Sequence, residues 1–249
     1  MNGFFSSVAG ATLRWLDLPG DGLPVVFIHG LGCASSYDYP RVASDPALNG
    51  RRKILIDLPG FGYSDKPHDF SYNIHVQARV VEQLLNHLRL QRFALFGHSM
   101  GGSIAIEAAG LLGERVTTLL VSEPNLFAGG GEYSRRIAAQ TEAAFIAEGY
   151  ARMLAEERSL WAGCLQNSAP WAVWRAASSL MRGSDTPWFT QLCQLHCQKR
   201  LIVGELSLPY ADIDLAEAQG IPVGIVPRGG HSMAWENPQG LAQIIASQS

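Results

Sequence analysis

Gly97-His98-Ser99-Met100-Gly101-Gly102 is the stretch of sequence that decides the fold. It follows a short apolar run at 93–96 and precedes a helical pattern that starts at Ser99 and continues past Ala109. Glycines on both flanks allow a tight turn from strand to helix. Such a turn lifts the serine hydroxyl clear of the sheet, at a helix N-terminus where developing negative charge is favoured. The G-x-S-x-G pattern in this setting predicts a nucleophilic serine at residue 99, against the alternative of a glycine-rich turn with an incidental serine.

Short apolar runs alternate with helical patterns along most of the chain. Because the runs are continuous rather than alternating in polarity, they are typical of parallel strands covered on both faces. They occupy 25–28, 54–56, 93–96, 118–121, 201–203 and 223–226, and an earlier antiparallel edge strand is predicted at 11–16. Further helices are predicted over 74–89 and over 238–246, the latter with Asn237 as its N-cap. The alternation predicts an α/β fold with a mostly parallel central sheet flanked by helices.

Residues 124–199 break this alternation, because no strand pattern occurs within them. The segment contains the triple glycine 129–131, and the sequence after it predicts several helices. It holds four of the six tryptophans of the chain, namely Trp161, Trp171, Trp174 and Trp188. We therefore expect a core formed by 1–123 and 200–249, with a helical insertion at 124–199.

Composition and charge disfavour several classes of protein. Of the 249 residues 47% are hydrophobic and 16% are charged, which is too apolar for a disordered chain. A net charge of −3 without a basic stripe disfavours a nucleic-acid-binding protein. No run of 18 apolar residues occurs, so no membrane span is predicted. Residues 1–10 lack the pattern of a signal peptide, and we expect a cytoplasmic protein.

The four cysteines stand at irregular spacing and form no C-x-x-C pair. They are Cys33, Cys164, Cys193 and Cys197. This pattern predicts reduced, structural thiols rather than a zinc site, and no metal or cofactor is expected. The sequence does not indicate an oligomeric state.

Four motifs, in chain order, resemble those of the α/β-hydrolase fold family, in the branch with an H-G-x-G loop and a helical cap. They are His29-Gly30-Leu31-Gly32, Asp57-Leu58-Pro59-Gly60-Phe61-Gly62-Tyr63-Ser64, the stretch 97–102, and Gly230-His231-Ser232-Met233 with Glu236-Asn237-Pro238. The resemblance covers nearly the whole chain and implies an α/β-hydrolase fold whose cap is the insertion at 124–199. It also implies an oxyanion hole, in which the backbone N–H groups of Leu31 and Met100 stabilise a developing negative charge.

Three histidines come after predicted strands, and His231 is the expected general base. It follows the run at 223–226 in a glycine-containing loop that can bring the imidazole over the serine turn. There it would take the proton of Ser99 and pass it to the leaving group. The resemblance implies a structural role for His29. His98 adjoins Ser99, but neighbouring side chains at such a turn point in different directions.

The acid partner of the histidine is where the chain departs from the commonest pattern of the family. That pattern has an aspartate after the penultimate strand, and Ser207 stands at the corresponding position here. Some family members carry the acid after the preceding strand instead, where this chain has Glu123. Glu123 is therefore the expected acid. The alternatives are Asp212, Asp214 and Glu205. For Asp57, hydrogen bonds to loop amides are expected rather than catalysis.

In the family such caps cover the active site, so aromatic residues of the insertion are candidates for an apolar substrate pocket. The candidates are Trp171, Trp174, Trp188 and Phe127. The alternative is that they belong to the core of the insertion, as aromatic residues at helical spacing usually do.

Together, these features predict a serine hydrolase that cleaves small apolar carboxylic esters through an acyl-enzyme intermediate, with a Ser-His-Glu triad. The expected partner is a small-molecule ester. The same residues would also serve a C–C bond hydrolase, a lactonase, or an acyltransferase or perhydrolase. A non-catalytic ligand-binding receptor on the same fold is the alternative from another class.

Overall fold

The computed structural model describes residues 1–247. Its centre is an eight-stranded sheet in the order β1-β2-β4-β3-β5-β6-β7-β8. The strands are β1 (Asn2–Ser6), β2 (Ala11–Leu18), β3 (Gly22–Ile28), β4 (Arg51–Asp57), β5 (Phe93–His98), β6 (Val116–Ser122), β7 (Gln198–Gly204) and β8 (Val223–Val226). Strands β3 to β8 are parallel, whereas β1 and β2 are antiparallel to their neighbours. The predicted α/β fold with a mostly parallel sheet is confirmed.

Helices lie between the parallel strands and after the last of them. They are α1 (Ser35–Asp38), α2 (Pro40–Ala43), α3 (Ile74–His87), α4 (Met100–Leu112), α5 (Glu132–Ala138), α6 (Glu142–Ala144), α7 (Tyr150–Glu156), α8 (Trp161–Leu165), α9 (Pro170–Arg182), α10 (Trp188–Gln194), α11 (Asp212–Ala218), α12 (Met233–Glu236) and α13 (Pro238–Ala246). A π-helical turn, Phe145–Gly149, joins α6 to α7, and 3₁₀ turns occur at Pro46–Leu48, Gly113–Arg115 and Glu205–Ser207. The expected cap of α13 is present, since the Asn237 side chain accepts a hydrogen bond from the Gly240 N–H.

The sheet is covered on both faces, as its continuous apolar strands require. Alternate residues of β5 show this: Leu95 belongs to one apolar cluster and Phe96 to the other. The cluster around Leu95 includes residues of α3 and α4, and the cluster around Phe96 includes residues of α13. No helix within residues 1–247 has the length and apolarity needed to span a membrane.

The first strand was not predicted from the sequence. The segment 11–16 is indeed part of an antiparallel strand, but that strand pairs with β4 on one side and with β1 on the other, so it is not at the edge. The edge is β1, whose residues are mostly exposed and whose Phe5 side chain faces solvent. A five-residue strand with an exposed face and no continuous apolar run has no sequence pattern from which a strand can be predicted.

The insertion lies between β6 and β7 and contains α5 to α10. Its predicted end at residue 199 is corrected by the structure, because β7 begins at Gln198. The first residues of β7, Gln198, Lys199 and Arg200, are polar and exposed or half-buried, so the apolar run is shorter than the strand. Because β6 and β7 are neighbouring and parallel, the insertion leaves at the carboxyl end of β6 and the chain returns at the opposite edge of the sheet, where β7 begins.

The carboxyl ends of parallel strands meet at one edge of a sheet, which is where ligands bind in open α/β folds. In this chain that edge collects the residues that follow β3, β4, β5, β6, β7 and β8.

Candidate active site

Ser99 lies in the turn between β5 and α4, with a backbone conformation of φ 52° and ψ −121°. Positive φ is costly for a residue with a side chain and is found where the surroundings impose it, often at functional sites. Here the surroundings are tight. A Cβ on Gly97 would meet the carbonyl oxygen of Gly101, and a Cβ on Gly101 would meet the carbonyl oxygens of Ile28 and His29. The two glycines therefore permit the turn that exposes Ser99.

Glu123 follows β6 and is 5% exposed. Its backbone N–H donates to the carbonyl of Ile202 in β7 at 3.0 Å. The carboxylate accepts two hydrogen bonds, one on Oε1 from the Gly204 N–H at 2.9 Å and one on Oε2 from His231 Nδ1 at 2.6 Å. The structure thus brings together two residues that the sequence places 108 positions apart.

The hydrogen bonds of Glu123 determine its charge. Burial alone would raise the pKa of this carboxyl, but the hydrogen bond and charge of His231 and the donors Gly204 N–H and Ser207 hold the pKa at about 2. Glu123 is consequently ionised at neutral pH, as a carboxylate that stabilises an imidazolium must be. Ser207 supports the carboxylate from the position where the family pattern commonly has the acid itself.

His231 lies in the loop between β8 and α12, and its side chain is 54% exposed. The Gly230 N–H donates to Glu236 Oε2 at 2.6 Å, which anchors the loop. Nδ1 is committed to Glu123, which leaves Nε2 for another partner. Ser99 and His231 line the same cavity. In the structure of residues 1–247 no direct hydrogen bond joins their side chains, and such bonds often tighten only when substrate binds.

His98 lies beside both residues but has a different environment. Its Nδ1 is 2.9 Å from Ser122 Oγ, and its ring centroid is 4.6 Å from that of His231. Burial and the neighbouring His231 lower the pKa of His98 to about 3, so it stays neutral. It makes no hydrogen bond to a carboxylate in the described chain, in contrast to His231.

His29 and Asp57 support the surrounding loops. His29 is fully buried, its Nδ1 donates to the Gly30 carbonyl at 2.8 Å, and its Nε2 accepts from the Leu58 N–H at 3.0 Å. Both ring nitrogens are therefore occupied. Asp57 accepts from the N–H and hydroxyl of Ser36 at 2.9 and 2.7 Å and from the Tyr63 N–H at 3.0 Å. These are the structural roles expected for both residues.

In the described chain none of the three alternative acids is hydrogen-bonded to His231. Glu205 is exposed and accepts from the backbone N–H of Arg228 at 2.7 Å. Asp212 lines the cavity at the start of α11, where its carboxylate interacts with Tyr210. Asp214 is exposed on the same helix. Among the described residues, Glu123 is the carboxylate hydrogen-bonded to His231.

The two backbone groups expected to form an oxyanion hole are at the same edge. Met100 is the first residue of α4, and the first N–H groups of a helix have no partner within it. Leu31 lines the cavity together with Ser99. Its own carbonyl oxygen accepts a hydrogen bond at 2.8 Å from the indole N–H of Trp161 in α8.

A cavity of about 870 Å³ opens over Ser99, between the strand ends and the insertion. Of the four aromatic candidates of the insertion, Phe127 lines it. The other three predicted aromatic residues do not: Trp188 donates to Glu107 Oε1 at 2.7 Å, Trp174 donates to the Gln140 carbonyl at 2.9 Å, and Trp171 packs against His68. Their indole groups are held in contacts away from the cavity, so the structure does not place them among the residues that line it.

Sequence reasoning missed further residues that line the cavity. They include Trp161, Tyr133, Leu126, Leu180 and Tyr210. The sequence offered no signal that separates Trp161 from the three tryptophans that were named, because α8 is only five residues long and shows no periodicity. In the described part of the chain, no group of three or more His, Cys, Asp or Glu side chains is placed to hold a metal ion.

Comparison with known proteins agrees with this architecture. Residues 24–148 match the sequence model of the alpha/beta hydrolase fold. A segment of 118 residues is 36% identical to the dihydrolipoyllysine-residue acetyltransferase component of the acetoin cleaving system from Pseudomonas putida, covering 46% of this chain and 30% of that protein. A segment of 105 residues is 38% identical to 2-hydroxymuconate semialdehyde hydrolase from Pseudomonas putida, covering 41% of this chain and 36% of that protein. The matched part thus spans about a third of the length of these curated relatives.

Comparison of folds extends the similarity over nearly the whole chain. The esterase EaEST from Exiguobacterium antarcticum superposes with a TM-score of 0.82 over 99% of this chain and 98% of that one, at 20% identity. At this identity the likeness concerns the fold, and it confirms the fold class predicted from the motifs.

Proposed function

The chain belongs to the α/β-hydrolase fold family, and within it we propose a serine hydrolase that cleaves small apolar carboxylic esters through an acyl-enzyme. One observation supports this most: Ser99, in its strained turn, shares a cavity with a histidine that is hydrogen-bonded to a buried carboxylate. A binding protein would not need a buried carboxylate held ionised behind a histidine.

The proposed first step is attack of Ser99 Oγ on the ester carbonyl carbon. His231 takes the hydroxyl proton on the ring nitrogen that faces the cavity, and the Glu123 carboxylate stabilises the imidazolium formed. The carbonyl oxygen becomes an oxyanion, which the backbone N–H groups of Leu31 and Met100 would stabilise. When the C–O bond breaks, His231 gives its proton to the leaving alcohol and the acyl group remains on Ser99.

The second half repeats these roles with water. His231 takes a proton from the water as its oxygen attacks the acyl carbon, and a second oxyanion forms in the same place. Collapse of this intermediate breaks the bond to Ser99, which recovers its proton from His231. The carboxylic acid then leaves, and the resting enzyme is restored.

The insertion would determine which esters fit. We propose a core of 1–123 and the residues from 198 onward, with 124–197 as a cap over the site. The cap supplies apolar lining to the cavity through Leu126, Phe127 and Leu180. A cavity of about 870 Å³ is in the usual range for sites of small molecules, which supports a small apolar substrate.

Hydrolysis of p-nitrophenyl esters with acyl chains of about two to about twelve carbons tests the proposal and measures the acyl pocket. Ser99→Ala should abolish turnover, whereas the surface variant Ser44→Ala should retain it. Activity that persists in Ser99→Ala would contradict the proposed nucleophile. An optimum at short chains would support a small substrate.

Hydrolysis of a C–C bond is the second candidate, and the similarity to 2-hydroxymuconate semialdehyde hydrolase favours it over lactone hydrolysis, acyl transfer and perhydrolysis. The same serine, histidine and oxyanion donors would act on a ketone instead of an ester. A folded protein without activity on any ester, but with Ser99-dependent cleavage of a vinylogous diketone, would establish this reaction. Tight ligand binding without turnover of either substrate would instead support a non-catalytic receptor.

A further inference from the structure

The helix α8 of the insertion lies directly on the loop that contains Leu31. The Trp161 indole N–H donates to the Leu31 carbonyl at 2.8 Å. The next residue, Gly32, has φ +65°, and a Cβ there would lie 2.9 Å from Leu165 and 3.0 Å from Trp161. The helix and the loop are therefore in close contact over both residues.

Further contacts hold α8 in this position. Cys164 Sγ donates to Asp38 Oδ1 at 3.3 Å, which links the helix to α1 of the core. Asp38 is buried and also accepts a hydrogen bond from the Trp235 indole N–H at 3.0 Å. The carboxylate that binds Cys164 is therefore held in place by the core. Within the insertion, the Tyr133 ring packs on Trp161 at a centroid distance of 4.5 Å. Trp161 is thus held between α5 and the loop.

The two peptide groups that flank Leu31 are held from opposite sides. The Gly30 carbonyl and the Leu31 N–H belong to one planar trans peptide, so they point in opposite directions. His29 binds that carbonyl from the core at 2.8 Å, and Trp161 binds the carbonyl of the following peptide from the insertion. With both peptides held, the direction of the Leu31 N–H is determined.

We propose that Trp161 is a positioning residue, which aligns the Leu31 N–H as an oxyanion donor when the cap is seated on the core. The inference rests on the proposed serine hydrolase function and extends it: the cap completes the catalytic machinery as well as the substrate pocket. Preorganised donors at such a site stabilise the transition state more than the ground state.

Trp161→Phe tests the role, since it keeps an aromatic ring at this position and removes the N–H. Loss of a direct oxyanion donor costs about 10²–10³ in kcat, so loss of its support should cost less, about tenfold, with KM unchanged. The affinity for an alkyl boronic acid, which forms a tetrahedral adduct with the serine, should fall by the same factor. The affinity for the carboxylic acid product should stay the same. Trp174→Phe is the matched control, because it removes an indole hydrogen bond inside the cap and away from the cavity.

The outcomes separate this inference from the proposed function. If Trp161→Phe matches the wild type in kcat and boronic acid affinity, while Ser99→Ala is inactive, the positioning role is wrong and the hydrolase proposal stands. If the wild type neither hydrolyses esters nor reacts with a fluorophosphonate, the proposed function fails and the inference fails with it. Should Trp161→Phe not fold, incorporation of benzothienylalanine at 161 removes the N–H and keeps the indole shape, with the same results expected.

Discussion

The loops that follow β6 and β7 lie side by side, and they contribute unequally to the candidate site. The first contributes the Glu123 carboxylate. The last residue of β7 donates its Gly204 N–H to that carboxylate, and in the second loop Ser207 helps to hold the pKa of Glu123 low. In the commonest pattern of the family the second loop carries the acid. We infer that neighbouring parallel strand ends are near-equivalent places from which a carboxylate can reach the same histidine.

The reason is geometric. Ser122 of β6 is paired with Ile202 of β7, so the two strands deliver their next residues to adjacent places at the sheet edge. Glu123 then bonds backbone groups of β7 through both its N–H and its carboxylate. A glutamate reaches further than an aspartate by one methylene. This suits the loop after β6, because β6 is one strand further than β7 from β8, which His231 follows.

Replacing the acid should have the largest effect. We expect Glu123→Gln to lower kcat by about 10³–10⁴, because an amide cannot hold the histidine in the required tautomer or stabilise its cation. Ester hydrolysis gives kcat, and circular dichroism checks the fold. Asp214→Asn, at an exposed position of α11, should change little. A larger loss in Asp214→Asn or Asp212→Asn than in Glu123→Gln would place the acid after β7.

Moving the acid to the second loop should restore part of the activity. If the two strand ends are near-equivalent, Glu123→Gln combined with Ser207→Asp should regain about tenfold in kcat over Glu123→Gln alone, through the new carboxylate. Glu123→Gln with Ser44→Asp adds the same charge at a remote exposed site and should regain nothing. No difference between the two double variants would show that the loops are not interchangeable.

Removing the supporting hydroxyl should have a smaller effect. Ser207→Ala removes a hydroxyl that helps to lower the pKa of Glu123, and a full hydrogen bond to a charged group contributes about 1.5–3 kcal/mol. Since Ser207 is only half-buried, water can replace part of this, and we expect a loss in kcat below about tenfold. Steady-state kinetics at neutral pH measures it. A loss as large as that of Glu123→Gln would mean that the two loops share the acid function.

The pH dependence of stability should show the smallest effect. The pKa of Glu123 in the folded chain is about 2, below its ordinary value of 4.5, so ionised Glu123 stabilises the fold above pH 4.5 and this contribution is lost as the pH falls towards 2. Urea unfolding should therefore show a free-energy difference between wild type and Glu123→Gln that is full at pH 7 and shrinks between pH 4.5 and 2. The difference between wild type and Asp214→Asn should stay flat. A constant difference for Glu123→Gln would contradict the depressed pKa.

The fold could be predicted because its determinants are local in the sequence. The continuous runs and the glycine-flanked serine each depend on residues within one strand or one turn, and the structure confirms the fold class. Ser99 and His231 could be named for the same reason, since each follows a strand that the sequence shows clearly, and the structure brings them to one cavity. Their catalytic roles stay predictions. Glu123 was harder to identify, because its choice over Asp212 depends on which strands are neighbours.

The lining of the cavity could not be predicted. The spacing of Trp171 and Trp174 shows that they share a helical face, but not whether that face turns towards the serine or towards the rest of the insertion. That depends on how α9 packs, which is a property of the whole fold. The position of the Trp188 indole could not be predicted either, because its partner Glu107 lies in α4, 81 residues away along the sequence. Trp161 reaches the cavity from a helix too short to have a pattern.

The insertion between β6 and β7 also affects how the chain folds. Glu123 is separated along the sequence by 81 residues from Gly204 and by 108 residues from His231. Contacts this distant form late, because the entropy of closing a long loop opposes them until the intervening chain has become compact. During refolding, the tryptophan fluorescence of the insertion should therefore recover before enzymatic turnover does.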